Sequence, residues 1–385
     1  MDFDLTDEQR LLKDSVDRLF EDAYGDLEER NRIRRESPRG WSERLWATYA
    51  ELGLLALPFP EEHGGFAGGP VETMIVMEAI GRALALEPYL TTVVLGGALI
   101  RMGGSEAQRR ELIPRIADGS LRVAFAQAEP QSRYDLHDVA TAARRTEAGW
   151  RLEGEKSLVL HGDSAGLFVV SARTAGDRRD QRGVTLFLVD ADAPGVSRRG
   201  YPTQDGQRAA EVSLAGVDVP AEAVLGEVDA ASPLIERAVD AAIAAVCAEA
   251  VGAMEALHVL TVDYLKTRRQ FGVPIGGFQA LQHRAADMMI AVEQARSMAM
   301  YAAMMAEEAD PQERRAALSA AKVQVNRSAR FVGQQAVQLH GGIGTTMEYK
   351  AGHLFKRLTM IEGQFGDTDH HLRLVDRADG LIKAA

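Results

Sequence analysis

The sequence feature that most constrains the fold is an unbroken helical pattern over residues 235–268. Apolar residues dominate this stretch, no proline interrupts it, and Pro274 marks the loop that follows. At 3.6 residues per turn, such a helix makes roughly nine turns. A helix of this length and composition needs long neighbours to cover its apolar surface. We therefore predict a C-terminal helical bundle over residues 230–385, with further helices at 281–308, 316–339, 351–361 and 369–383.

The N-terminal part of the chain, residues 1–119, is also helical in pattern. Thr6 and Gln9 have the spacing of a capping box, which predicts a helix over residues 8–20. Two further helical patterns cover residues 41–55 and 71–85. Between them, the proline and glycine residues of the segment 58–70 predict a loop.

The middle of the chain, residues 120–229, changes to the period-two alternation of β-strands. Its short β-rich segments are separated by turns and have no helical patterns between them. This arrangement favours an antiparallel barrel or sandwich over a parallel sheet. The predicted fold class is α+β with three domains: an N-terminal helical domain, a middle β domain and a C-terminal helical bundle.

Charge and cysteine content exclude several classes of function. The chain has 44 basic and 56 acidic residues, a formal net charge of −12. Binding to nucleic acid or to anionic lipid needs a basic face, so we expect neither partner. The single cysteine, Cys247, excludes a disulfide framework and a cysteine-rich zinc site. The acidic start and the lack of a run of about 18 apolar residues predict a cytoplasmic protein without a membrane span.

Three stretches carry residues suited to a ligand site. Residues 268–279, RRQFGVPIGGFQ, place two arginines at a helix end, either as a charged cap or as a phosphate clamp. Residues 338–346, QLHGGIGTT, contain a glycine pair that either ends a helix or lets a ligand approach the backbone. Residues 361–371, IEGQFGDTDHH, gather carboxylates and two histidines, and Asp369 fits a helix N-cap. Because the adjacent histidines lack the usual ligand spacing, we expect no metal site.

The order of these stretches resembles the acyl-CoA dehydrogenase family. The pattern RxxFGxPIxxFQ, the later QxxGGxG, the acidic turn before the last helix and the earlier PEEHGG loop are all similar to that family. Within it, the sequence is most similar to the small subunits of pimeloyl-CoA dehydrogenases. The resemblance implies a helical–β–helical fold, FAD, and α,β-dehydrogenation of an acyl-CoA thioester. A carboxylate then removes the α-proton while the β-hydride passes to the flavin, and electrons leave through an electron-transfer flavoprotein.

The resemblance also implies a set of cofactor-binding residues. They are Arg268, Phe271, Gln279, Gln338, Gly341 and Gly342. Arg268 would clamp the pyrophosphate of FAD, and Phe271 would pack near the flavin or the adenine. The residues of the QxxGG pattern would line the adenosine diphosphate part. In this family such contacts reach a FAD that is held by the neighbouring subunit.

The position of the catalytic base departs from the family pattern. The usual glutamate of the acidic turn is replaced by Phe365, and the alternative glutamate position in the long helix is Ala242. Asp367 is the better replacement and Glu362 the second, although Asp367 also fits a turn or cap carboxylate. In the β domain, Leu158 and Leu160 stand where the family has its flavin-facing Trp-x-Thr, and leucine cannot donate a hydrogen bond.

Three functions are compatible with this pattern. The first is the small subunit of a heterotetrameric acyl-CoA dehydrogenase, whose large subunit supplies the flavin platform and the base. The second is a self-sufficient homo-oligomer that uses Asp367 as base, and the third is a non-catalytic acyl-CoA-binding or assembly protein. Pimeloyl-CoA or another dicarboxylyl-CoA is the substrate that the resemblance implies. Arg133, Lys356 and Arg357 are cations chemically suited to its distal carboxylate.

Overall fold

The computed structural model describes residues 5–378, and the N-terminal part of this range is helical. Its α-helices are α1 Asp7–Tyr24, α2 Leu27–Glu36, α3 Glu43–Glu51, α4 Pro70–Ala83, α5 Ala98–Gly103 and α6 Glu106–Ala117. The predicted capping box is confirmed: the Thr6 hydroxyl accepts from the Gln9 N–H at 3.2 Å, and the Gln9 side chain accepts from the Thr6 N–H at 3.0 Å. Helix α1 runs beyond its predicted end because Tyr24, 1% exposed, continues its buried face.

A mixed sheet of eight strands forms the middle of the chain. The strands are β1 Val123–Ala126, β2 Ala142–Arg145, β3 Gly149–Leu160, β4 Leu167–Arg173, β5 Val184–Asp190, β6 Val196–Pro202, β7 Arg208–Pro220 and β8 Val224–Leu225. Their order is β6-β7-β3-β2-β4-β5-β8, with β1 also paired to β4. One face buries aromatic and branched residues, including Trp150 and Phe187, whose rings lie 5.5 Å apart. The predicted β domain is thus confirmed.

Two strand pairs differ from the antiparallel prediction. Strands β1 and β2 both run parallel to β4. Period-two alternation reports which face of a strand is buried, and it does not report the direction of the neighbouring strand. The long connection between β1 and β2 brings the chain back so that both run in the same direction.

Long helices form the C-terminal part of the chain, as predicted. They are α7 Ser232–Thr267, α8 Gln279–Met305, α9 Pro311–His340, α10 Lys350–Gly363 and α11 Thr368–Arg377. A two-stranded hairpin, β9 Arg269–Gln270 and β10 Val273–Pro274, separates α7 from α8. The last helix was predicted to reach residue 383, and residues 379–383 lie outside the described part of the chain. The helical–β–helical fold class is confirmed.

Helix α7 corrects one expectation of the sequence analysis. Among the described residues it is the one helix long and apolar enough, by length and composition, to cross a membrane. Its most apolar window is 72% buried inside the protein, and the core helix of a bundle passes the same test. The apolar character of α7 is therefore explained by its packing against protein.

The chain divides into two compact units that are discontinuous in sequence. The first, which we call the helical unit, contains the chain up to Ile33, Pro70–Ala85 and the chain from Ile243 onward. The second, which we call the sheet unit, contains Arg34–Gly69 and Leu86–Ala242. The domain borders predicted after residues 119 and 229 stay predictions.

Within the first unit, α4 and α7 cross at two glycines. A Cβ added to Gly252 would lie 1.8 Å from the carbonyl oxygen of Glu78, and one added to Gly81 would lie 1.9 Å from that of Glu249. The two backbones are therefore in direct contact, and a methyl group at either position has no space.

We expect Gly252→Ala to lower the free energy of unfolding by about 1–3 kcal/mol, because the added methyl group must push α4 and α7 apart. Helix propensity acts in the opposite direction by about 1 kcal/mol. Urea unfolding measures the difference. Gly333→Ala is the matched control, since its methyl group would meet the ring of Phe355, which can move, instead of a backbone oxygen. Equal losses in the two variants would contradict the explanation.

Candidate cofactor and active site

The first predicted stretch forms a rigid hairpin directly after α7. The Arg268 N–H donates to the Tyr264 carbonyl at 2.8 Å, and the Arg268 carbonyl accepts from the Ile275 N–H at 2.8 Å. Phe271 and Gly272 connect the two short strands, with φ of +52° and +80°. Two successive positive φ values are typical of the type I′ turn, whose twist matches that of the strands. The backbone at Arg268 is therefore fixed from both sides.

The Arg268 guanidinium itself is exposed and has no hydrogen-bond or ion-pair partner among residues 5–378. The next residue differs, since Arg269 donates to the Gly272 carbonyl at 2.8 Å and so belongs to the hairpin. Gln279, the first residue of α8, is likewise exposed without a side-chain partner in the described range. An arginine that caps a helix bonds to its last carbonyls. Arg268 does not, and this leaves the phosphate clamp as the better interpretation.

Phe271 is 90% exposed, and its only ring contact in the described structure is with Phe278, 6.1 Å away. A bulky residue with positive φ is strained, and the burial of its side chain normally offsets that cost. Phe271 gains almost no burial within this chain. Its conformation is explained if the ring packs against a group outside the chain.

We expect Phe271→Asn to raise the stability of the isolated chain slightly, by about 0.5–1 kcal/mol, because asparagine tolerates the left-handed conformation. When the same variant is part of an assembled enzyme that contains FAD, retention of the cofactor should fall. Thermal unfolding and flavin absorbance measure the two effects. A loss of stability would contradict this prediction, because it would show that the ring is supported inside the chain.

The second predicted stretch lies beside the hairpin in the same unit. The ring of His340, at the end of α9, lies 4.7 Å from the ring of Tyr264, whose carbonyl holds Arg268. Gly341 is the C-cap of α9 with φ of +64°, so the helix-end interpretation is correct. The ligand interpretation is compatible with it, since a Cβ at Gly341 or Gly342 would meet nothing within 4 Å. Gln338, one turn earlier, is exposed without a partner in residues 5–378.

The third stretch forms a turn that buried side chains hold in place. Phe365 has φ of +59°, and its carbonyl lies 3.1 Å from His371 Nε2. His371 Nδ1 lies 3.1 Å from the Ser319 hydroxyl. Burial, together with the nearby charge of Lys322, lowers the pKa of His371 to about 3. The ring is therefore neutral, with Nε2–H donating to Phe365 and Nδ1 accepting from Ser319.

Both carboxylates considered as bases are occupied by other contacts. Asp367 is the N-cap of α11 and accepts from the His370 N–H at 2.8 Å. The N-cap was predicted at Asp369, and it lies two residues earlier, at Asp367. The turn through Gly366 ends there, so the helix begins at Thr368. The Glu362 carboxylate pairs with Arg330. Phe365 offers no proton acceptor, and the role of Asp367 as a base stays a prediction.

Sequence analysis did not identify the buried charges beneath this turn. Lys322 is fully buried, and its Nζ donates to the Ile361 carbonyl at 2.7 Å and to Asn326 at 2.8 Å. The sequence contains a signal for its burial, because Lys322 follows the helical spacing of the apolar residues Leu318 and Val325 on the buried face of α9. A lysine at a core position signals a satisfied internal contact.

Arg357 is likewise buried, and it forms a bidentate pair with Glu249 at 2.6 and 2.7 Å. Its charge is therefore already neutralised inside the protein. Of the three cations considered for a distal substrate carboxylate, Arg357 is thereby removed, while Arg133 is exposed and Lys356 is half-buried.

The sheet presents no side-chain hydrogen-bond donor at the two leucine positions. The β3–β7 register shifts between Lys156 and Val159, and Leu158 lies in this bulge with φ of +51° and 48% exposure. Leu160 ends β3 opposite Ala209. The positions where the family's flavin-facing donor is expected therefore carry only hydrocarbon.

The residues of the helical unit fit the phosphate and adenosine parts of FAD. An unpartnered exposed arginine on a rigid hairpin and an open glycine backbone are the groups that bind a pyrophosphate. Leu158 and Leu160 do not fit the flavin ring as the family's residues do, because their side chains cannot donate a hydrogen bond to it.

Comparison with known proteins identifies the family. Residues 6–120, 124–217 and 234–378 match the N-terminal, middle and C-terminal domains of acyl-CoA dehydrogenases. Acyl-CoA dehydrogenase FadE12 of Mycobacterium tuberculosis is 34% identical over 80% of each chain.

Two similar solved structures contain pairs of named proteins. The Tcur3481-Tcur3483 steroid ACAD G363A variant is 30% identical, with a TM-score of 0.85 and coverage of 97% of each chain. The ChsE4-ChsE5 complex from Mycobacterium tuberculosis is 26% identical, with a TM-score of 0.87 and coverage of 100% of each chain. The matches support an oxidoreductase that acts on acyl-CoA, with FAD as cofactor. The chain belongs to the acyl-CoA dehydrogenase family.

Proposed function

We propose that this chain is the small subunit of a heterotetrameric acyl-CoA dehydrogenase, and that it completes the FAD site of a large partner subunit. One observation carries the proposal. The exposed side chains suited to the phosphates and adenosine of FAD are retained without partners among residues 5–378, whereas the base and the flavin-ring donor are replaced by Phe365, Leu158 and Leu160. A chain that retains only one of the two sets is suited to complete a neighbour's site.

The retained residues have distinct roles in this proposal. Arg268 binds the pyrophosphate of FAD through two parallel N–H donors, which is the geometry that guanidinium and phosphate share. The Gly341 N–H donates to the Val337 carbonyl, so what the pair Gly341 and Gly342 offers the cofactor is an open backbone surface without side chains. Phe271 packs against the cofactor or the partner and excludes water. When bound, FAD supplies the acceptor for the hydride that leaves the β-carbon.

The proposal assigns the base to the partner. A carboxylate that removes the α-proton of a thioester is made more basic by desolvation, which raises its pKa. Asp367 is already used as the N-cap of α11, where it accepts from the His370 N–H at 2.8 Å. The ChsE4-ChsE5 complex, one of the similar structures, supports an assembly of two different proteins.

The proposal also covers the substrate class, the cellular compartment and the electron acceptor. The resemblance points to pimeloyl-CoA or another dicarboxylyl-CoA, and the exposed Arg133 and the half-buried Lys356 remain as cations for a distal carboxylate. One of the similar solved structures is named a steroid ACAD, so acyl-CoA thioesters with a bulky acyl group should be assayed beside the dicarboxylyl-CoA thioesters. We propose that the enzyme works in the cytoplasm and passes its electrons to an electron-transfer flavoprotein.

We expect the purified chain to be colourless alone, and its complex with a co-expressed large subunit to be yellow and bleached by an acyl-CoA. Visible spectra and FAD content of both preparations make the test. Asp367→Asn should leave bleaching by the complex unchanged, because the base comes from the partner. One FAD per chain in the isolated protein, with bleaching abolished by Asp367→Asn, would instead establish the homomeric enzyme. A complex that contains no flavin would contradict both the heteromeric and the homomeric enzyme, and would favour the non-catalytic acyl-CoA-binding or assembly protein.

A further inference from the structure

Lys350 is the first residue of α10 and follows the segment that begins with the glycine pair. The backbone around it is fixed, because the ring of Tyr349 lies 5.1 Å from that of His340 and His353 Nε2 lies 2.9 Å from the Met347 carbonyl. Tyr349 is the N-cap of α10, and its side chain makes no capping hydrogen bond. The N–H groups of a first helical turn carry partial positive charge, so an ammonium group is unfavourable at this position.

A second positive charge acts on the Lys350 amine. Lys350 is half-buried, and no carboxylate pairs with it among residues 5–378. Arg30, 1% exposed, is held nearby by its Nε, which donates to the Leu84 carbonyl at 2.8 Å. Burial and, after it, the charge of Arg30 lower the pKa of Lys350. Partial burial, the guanidinium group and the helix end therefore all favour the neutral amine.

Other lysines of the helical unit have different surroundings. Lys266 is 71% exposed and lies 3.9 Å from Asp263. Lys322 is fully buried and donates to two oxygens, and Lys356 Nζ lies 3.1 Å from the sulfur of Met347. Partial desolvation and a neighbouring cation are the two conditions that make a lysine amine nucleophilic, and Lys350 meets both while it stays partly accessible.

We propose that Lys350 is a site of Nε-acylation by acyl-CoA thioesters. The electrophile belongs to the class of substrate on which this family acts. The amine nitrogen attacks the carbonyl carbon of the thioester, the C–N bond of an amide forms, and the C–S bond breaks. The proton lost by nitrogen converts the departing thiolate into the thiol of coenzyme A, so the step needs no oxidant or reductant. The amide carries no charge, and its formation removes the repulsion from Arg30.

The experiment incubates the full chain with acetyl-CoA over a pH series and measures acetylation of each lysine by peptide mass spectrometry. Acetyl-CoA has no β-carbon and cannot be dehydrogenated, so the result does not depend on catalytic activity or on the proposed subunit role. A fall of one unit in the pKa of a lysine gives about tenfold more neutral amine near pH 7, although a less basic amine also reacts more slowly. We therefore expect Lys350 to react at least about threefold faster than Lys266 near neutral pH, and its rate to level off at a lower pH.

Two variants and one chemical control test the surroundings of Lys350. Arg30→Gln should slow the acetylation of Lys350 and leave that of Lys266 unchanged, because the like charge is removed. Lys350→Gln resembles the uncharged product and should unfold at the same or a higher temperature than the parent chain. Acetate together with free coenzyme A lacks the thioester and should give no label.

The assignment would be overturned by equal rates at Lys350 and Lys266, by pH profiles of the two that coincide, or by labelling from acetate and free coenzyme A. An unchanged rate at Lys350 in a folded Arg30→Gln variant would also contradict it. So would a large loss of stability in Lys350→Gln, because that loss would reveal a contact that supports the ammonium group. Should Arg30→Gln not fold, the pH profiles of the parent chain decide.

Discussion

Replacing Arg268 by alanine is expected to leave the complex with the large subunit assembled but to weaken its binding of FAD by roughly 10- to 150-fold. A hydrogen-bonded contact between opposite charges contributes about 1.5–3 kcal/mol, and about 1.4 kcal/mol corresponds to a tenfold change. Arg268 has no contact within the described chain that its removal would break. The loss should therefore fall on the cofactor and leave stability unchanged. Flavin released on gel filtration and the dissociation constant from flavin fluorescence measure it.

Arg284→Ala is the matched control for this prediction. Arg284 is also an exposed arginine of the same unit, and its one side-chain hydrogen bond among residues 5–378 is a long one, 3.3 Å to Gln335. The control removes the same charge without touching the hairpin. Equal weakening in both variants would show that FAD responds only to net charge, and full retention in Arg268→Ala would remove Arg268 from the cofactor site.

The predictable part of this site is the part that local chain geometry determines. Pro274 predicted a loop after α7, and this loop is a two-residue hairpin in which Gly272 supplies one of the two positive φ values of the turn. Gly341 follows an apolar helix and caps it. That Tyr264 connects the two stretches was not predictable, because its carbonyl holds Arg268 while its ring packs on His340, far along the chain.

The unpredicted part depends on contacts between distant segments. Strand alternation does not specify that β1 and β2 lie parallel to β4. Nor does helical spacing show which groups the buried Lys322 and Arg357 contact, because Ile361 and Glu249 lie 39 and 108 residues away along the chain. The turn before α11 shows the same limit, since two aspartates fit the cap and only the backbone through Gly366 selects Asp367.

Within the sheet unit, we expect the largest loss of stability from a substitution that breaks the buried ion pair between Lys156 and Glu129. Lys156 Nζ lies 2.7 Å from Glu129, which is 5% exposed and also accepts from the backbone N–H groups of Ala140 and Thr141. Lys156→Met leaves this carboxylate buried without its counter-charge. We expect the free energy of unfolding to fall by about 3–5 kcal/mol. Urea unfolding at neutral pH measures the loss.

Acid unfolding and a second variant separate the ion pair from simple packing. Burial opposes ionisation of Glu129, but Lys156 outweighs it and lowers the pKa of that carboxyl to about 2. A carboxyl with a lowered pKa stabilises the fold fully above its unfolded value, and this contribution is lost as pH falls from about 4.5 toward 2. Lys156→Met should therefore flatten the decline of stability in that window. Adding Glu129→Gln should recover part of the loss at neutral pH, because no buried charge is then unpaired. Losses that simply add in the double variant would show that the two side chains act independently.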